Sequence, residues 1–206
     1  MNSEFKQVIR DGSLLKDLHV HTQYCDGSGT PEEIVETAIA KGLDVIGFSG
    51  HSHMPFDAEA YMSEKATDAY ENAVREAAVR YADRIKVFCG IEQDYYSEMP
   101  VGRWDYVIGS VHYVEVPLED RAPGEAGLRC VYGAFAYPSV DDTTECFEDA
   151  IDRFFGGDVY AFAEKYYETV SDVVRKTGAD IIGHFDLFSK FNAGGENGGR
   201  GMYFDE

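Results

Sequence analysis

The stretch Asp17-Leu18-His19-Val20-His21-Thr22 decides how this chain folds. It closes an apolar run, Leu14–Val20, that reads as a β-strand. Imidazoles at i and i+2 on a strand end point to the same face, so two can grip one ion. Working outward, four further runs end alike: in Ser49-Gly50-His51-Ser52-His53, Cys89-Gly90-Ile91-Glu92-Gln93-Asp94, Gly109-Ser110-Val111-His112-Tyr113 and Ile182-Gly183-His184-Phe185-Asp186. The six histidines of the chain all fall in these stretches, and Glu92 takes the matching place where a strand has none. Imidazole and carboxylate donors suit zinc, manganese or iron, so a cluster of metal ions is the leading expectation.

Between these strands lie helices. Thr30-Pro31-Glu32-Glu33 is a capping box with proline at the first helical position, and Gly42 closes the helix it opens. The spacing predicts strands at Leu14–Val20, Leu43–Ser49, Ile85–Ile91, Asp105–Val111 and Asp180–Gly183. It predicts further helices near Ala58–Ala82, Thr143–Phe155 and Asp158–Thr177, and an irregular segment from Val114 to Val140. Alternation of this kind implies a parallel sheet covered by helices. In an open sheet five ligand-bearing strand ends would lie in a row; a barrel gathers them round one centre, as at the C-terminal face of (β/α) barrels. Five strands are few for such a barrel, which usually takes about 250 residues. The expectation is an α/β barrel left incomplete at its C-terminal end, with homo-oligomerisation as one way to cover the open edge.

Composition bounds the function. The chain has 206 residues, 18 Lys+Arg against 38 Asp+Glu, and a formal charge of −20. That argues against nucleic acid and anionic membranes as partners. It fits cation binding and a substrate that carries an amine, and it also serves solubility. The cysteines Cys25, Cys89, Cys130 and Cys146 form no Cys-x-x-Cys pair, and no apolar run approaches transmembrane length. A single domain over 1–206, cytoplasmic and with reduced thiols, is the expectation.

Taken in order, Asp-x-His-x-His-Thr, the Cys25-Asp26-Gly27 turn, Phe-Ser-Gly-His-Ser, Gly-Ile-Glu-x-Asp, Ile-Gly-Ser-Val-His-Tyr and Gly-His-Phe-Asp-Leu-x-x-Lys-Phe resemble one family. It is the histidinol-phosphatases of the polymerase and histidinol phosphatase (PHP) superfamily, and the resemblance runs across 14–192. It implies a distorted (β/α)7 TIM-like barrel that holds two or three divalent transition-metal ions. His19 and His21 would bind the first ion, with Glu92 bridging to a second that His112 and His184 complete. Asp26 and His51 would serve the third. Two departures stand out: the family's late Asp-x-His motif is absent after Asp186, and its Thr-Asp-His around the second strand reads Ser49-Gly50-His51 here.

Among the remaining polar residues, Asp17, Asp94 and Asp186 are expected behind the ligands, orienting imidazoles. Lys190 is a candidate phosphate contact. His53 is a candidate for substrate binding and for protonating the leaving alkoxide. A two-metal centre with ions about 3.5–4 Å apart activates water and clamps phosphoryl oxygens, so no Ser or Cys nucleophile is needed. The function implied is hydrolysis of L-histidinol phosphate, a small-molecule phosphate ester, to L-histidinol and phosphate in histidine biosynthesis. The alternatives are a phosphoesterase of the same type acting on another ester, and a truncated metal-binding form without activity.

Overall fold

The computed structural model describes residues 2–118 and 130–192. In chain order its elements are α1 (Ser3–Arg10), β1 (Lys16–Val20), α2 (Pro31–Ala40), β2 (Val45–Phe48), α3 (Glu64–Arg80), β3 (Lys86–Cys89), β4 (Ile91–Asp94), β5 (Val107–Ser110), β6 (Val116–Pro117), β7 (Val131–Tyr132), β8 (Phe135–Ala136), α4 (Thr144–Phe155), α5 (Val159–Thr177) and β9 (Ile181–Ile182). A short 3-10 turn, Leu187–Ser189, follows. The chain divides into two compact units, Met1–Gly109 with Val174–Gly183, and Ser110–Val173 with His184–Glu206. None of the described helices is long and apolar enough to cross a membrane.

In the first unit β1, β2 and β3 form a parallel sheet in that order, and β4, β5 and β9 form another. Backbone hydrogen bonds carry one sheet into the other. Gly90 donates to the Phe48 carbonyl at 2.8 Å and Glu92 to that of Gly50 at 3.0 Å, while Ser52 donates to Glu92 at 2.9 Å. On the other side Asp105 donates to Cys89 at 2.9 Å and Ile91 to Tyr106 at 3.3 Å. β3 and β4 are therefore one strand interrupted at Gly90, where sequence spacing predicts a single strand ending at Ile91.

Tyr106 explains the interruption. Its hydroxyl donates to the Leu18 carbonyl at 2.7 Å, which lays the ring across the sheet. A Cβ at Gly90 would stand 2.5 Å from that ring, and one at Gly47 2.5 Å from its hydroxyl, so only glycine fits at either place.

Both faces of this sheet are buried, which is why its strands read as continuous apolar runs. Ile46, Phe48, Val87, Cys89 and Val107 pack with α2 and α3. Val45, Phe88, Tyr106 and Ile108 pack with Phe5 of α1. Phe5 stacks on Tyr106 with ring centroids 4.3 Å apart and meets Phe88 edge-on at 5.1 Å. In β1, Leu18 joins the α1 side and Val20 the helical side. Residues two apart normally share a face, and the shift of register between Asp17 and Val20 permits the exchange.

The capping box at Thr30 and Glu33 is present in full, and Gly42 beyond α2 adopts φ +78°. α3 differs from expectation: it starts after Ser63, whose hydroxyl accepts the Ala66 amide at 3.1 Å, and Ala58–Met62 stay outside it. In the second unit the segment expected to be irregular contains β6, β8 and β7 as a small antiparallel sheet. α4 opens on Thr143, which accepts the Cys146 amide, and its Phe147 packs on Phe162 and Phe188 at 5.4 and 5.1 Å.

Candidate metal centre

The ladder that makes the sheet also builds the site. One residue past Gly50 and two past Gly90, His51 and Glu92 face each other as a parallel bridge pair. Tyr70 of α3, fully buried, ties the two steps together. Its hydroxyl donates to the Gly90 carbonyl at 2.8 Å and accepts the Gly50 amide at 3.3 Å.

Three further side chains of the first unit, those of His19, His21 and Asp26, converge there. Glu92 is 0% exposed, and its carboxylate meets His51 Nδ1 at 3.0 Å, His21 Nε2 at 3.2 Å and His19 Nε2 at 3.6 Å. Asp26 closes the opposite side, 2.7 Å from His21 Nδ1 and 3.6 Å from His51 Nε2. The strand end thus brings together His19, His21, Asp26, His51 and Glu92, the set that sequence spacing singles out within this unit. In the second unit the buried His112 ring lies 4.9 Å from that of His184.

Charge follows geometry. Burial opposes a proton on His21, but the Asp26 and Glu92 carboxylates overcome it and raise the pKa to about 12. His51, with burial again opposing, is raised to about 10 by the same two carboxylates. Its bond to His21 holds the Asp26 carboxyl well below the usual range. Without an ion, protons on the imidazoles neutralise this acidic pocket.

The donor set suits a divalent metal. His21, His51 and Glu92 place ligand atoms within 4.8 Å of one another, as do His21, Cys25 and Asp26. Ligands about 2.0–2.1 Å from a shared ion stand roughly 3.0–3.4 Å apart, close to the observed Glu92 contacts. Orientation is supplied as well. A proton on His19 Nδ1 donates to Ser49 Oγ at 2.7 Å and leaves Nε2, which faces Glu92, with its lone pair. Asp26 does the same for His21.

The other expected residues make the following contacts. Asp17 is exposed and accepts the His19 backbone amide at 3.2 Å, so its contact is to the main chain rather than to an imidazole. Asp94 is buried and accepts the Tyr96 amide at 2.9 Å. The Asp186 carbonyl accepts from Ser189, at the 3-10 turn. Lys190 is committed to Asp141, donating to its carbonyl at 2.6 Å with the carboxylate at 3.6 Å. His53 Nδ1 donates to the Met62 carbonyl at 3.1 Å, and the ring lines a separate cavity beside Gln93.

Sequence reasoning passed over Ser49, Cys25, Tyr61 and Tyr70. Cys25 Sγ is 3.8 Å from His21 Nδ1, and the Tyr61 ring centroid is 4.6 Å from that of His51. Ser49 stood inside a quoted motif, but its role becomes visible only once β1 and β2 are paired in register.

Comparison with known proteins supplies the family. The PHP domain family model matches residues 17–200, and the chain belongs to that family. It is 31% identical over 188 residues to a protein of Deinococcus radiodurans that bears the name probable histidinol-phosphatase. The match takes in 86% of this chain but 62% of that relative, so the chain spans less than two thirds of its length. Two crystal structures share the fold at 20% identity, each over 85% of this chain. One is a candidate histidinol phosphatase of Listeria monocytogenes, with a TM-score of 0.65 over 68% of that chain. The other is the histidinol phosphate phosphatase of Lactococcus lactis, complexed with zinc, L-histidinol and phosphate, with a TM-score of 0.59 over 59% of that chain.

Proposed function

We propose that this chain is a metal-dependent phosphomonoesterase that hydrolyses L-histidinol phosphate to L-histidinol and phosphate. The observation that carries the reading is the buried Glu92 carboxylate within 3.6 Å of three imidazoles, in a chain of the PHP family. The Lactococcus neighbour, with zinc and both products, supports the substrate. The family match over 17–200 supports reading the chain as one catalytic domain on the plan of a distorted (β/α)7 barrel, with a small-molecule ester as its partner.

In this reading Glu92, His19, His21, Asp26 and His51 hold divalent ions, and His112 and His184 are the further ligands that the resemblance implies. When bound, such ions supply Lewis acidity and charge neutralisation for a phosphoryl group. The protein's part is positioning. Ser49 and Asp26 fix the His19 and His21 rings, Tyr70 fixes the strand steps under His51 and Glu92, and the surrounding acidity draws the cationic amine of the substrate.

The test is phosphate release by the metal-loaded protein from L-histidinol phosphate, beside a panel of other phosphomonoesters and of amides. Preference for histidinol phosphate, abolished by Glu92→Ala, is expected. Equal or greater turnover of another ester would reassign the substrate, and cleavage of amides alone would overturn the reaction class.

A further inference from the structure

Strand alternation puts Glu92 on one face of β4 and its neighbours Ile91 and Gln93 on the other. Behind that second face, beside the first turns of α3 and the 97–104 loop, lies a cavity of about 350 Å³. The volume falls in the range of about 300–1,000 Å³ typical of small-molecule sites, and a water takes only about 30 Å³. Ile91, Met99 and Trp104 give it an apolar wall.

Gln93, 2% exposed, supplies the polar anchor. Its amide nitrogen donates to the carbonyls of Ser97 at 3.2 Å and Met99 at 3.1 Å. Those two acceptors fix the orientation of the amide, because a flip would set oxygen against oxygen. The Oε1 atom is then left buried with no hydrogen-bond partner among the described residues. An unmet buried acceptor costs about 1–3 kcal/mol, so a donor that reaches it is favoured.

Charge at the lining points the same way. Glu64 and Asp68 line the cavity with one guanidinium, that of Arg103, which Asp68 at 2.7 Å and Glu71 at 3.4 Å already neutralise. The Arg103 guanidinium also lies over the Trp104 ring at 4.8 Å.

From these observations we infer that the cavity is a second ligand site, separate from the metal centre, for a small organic amine: a flat apolar body against Trp104 with N–H donors directed at Gln93 and the acidic rim. Neither the metals nor the phosphatase reading is needed for it.

Trp104 is the chain's single tryptophan, so tryptophan emission comes from a residue that lines this cavity. The full-length protein is titrated with histamine and benzylamine, beside benzyl alcohol and benzoate, with and without a chelator. Saturable change is expected for the amines only, unaffected by the chelator and by Glu92→Gln. Gln93→Leu should weaken it about tenfold, the scale of one hydrogen bond to a buried acceptor. Glu64→Gln, at an exposed position that leaves the core intact, should weaken it in the same direction and carries the test if Gln93→Leu does not fold. No saturation below ~10 mM, equal response to alcohol or benzoate, or amine affinity unchanged in Glu64→Gln and in any folded Gln93→Leu would overturn the inference.

Discussion

Ser49 and Asp26 each contact an imidazole, and for Ser49 the consequence of that contact can be measured. Ser49→Ala removes the acceptor that holds His19 Nδ1 at 2.7 Å. Loss of an orienting partner typically costs 10–100-fold in metal affinity, so roughly that loss is expected in a competition titration, with the fold unchanged by circular dichroism. Unchanged affinity would remove Ser49 from the site. The raised His21 and His51 values give a second prediction, with its sign. Below a raised pKa the ring keeps its proton, and a ligand nitrogen must give it up. Metal binding should therefore release protons, and affinity should fall as pH is lowered from 8 to 6, about tenfold per pH unit for each proton released. Calorimetry in buffers of different ionisation enthalpy counts them, and a count of zero would contradict the assignment. Most of the residues that converge at the strand end were legible at this scale, because strand ends carrying His or Glu form a strong pattern. The contacts of Asp17, Lys190 and His53 were not legible: each meets a main-chain group, the His19 amide, the Asp141 carbonyl and the Met62 carbonyl, that becomes a neighbour only in the fold.

At the scale of elements, the junction of Gly47, Gly90 and Tyr106 sets the relation of β2, β3, β4 and β5. Gly90→Ala forces a methyl against the Tyr106 ring at 2.5 Å and should destabilise by about 1–3 kcal/mol, read as a lower urea midpoint. A neutral result would mean that the ring moves freely and does not set the strand break. Phe5→Ala should cost about 3–5 kcal/mol by emptying the space between Phe88 and Tyr106, measured in the same way. Strand and helix order could be read from apolar runs, caps and glycine stops. The elements that escaped have physical reasons. α1 places Phe5, Val8 and Ile9 at i, i+3 and i+4 behind an Asn2 cap, but its eight residues make barely two turns, too short for that spacing to stand out. The strands β6, β7 and β8 have two residues each, below the length at which alternation can be recognised. Ala58–Met62 has helical composition, but Ser63 offers a better start by accepting the Ala66 amide.

For the molecule as a whole, one acidic chain gathers imidazoles from separate strand ends onto a carboxylate that water cannot reach. A net charge of −20 makes that pocket attractive to cations and places a premium on filling it. Binding of an ion to the folded state alone should raise the thermal midpoint, and a chelator should lower it, by the linkage between ligand and stability. The most direct test is elemental analysis of the purified protein beside Glu92→Gln, a substitution that keeps the shape and removes the charge. Two or more divalent ions per chain are expected in the parent, as a two-metal phosphatase requires, and a sharp loss in the variant. A parent free of bound metal after loading, or a Glu92→Gln protein that retains its full complement, would contradict the metal assignment.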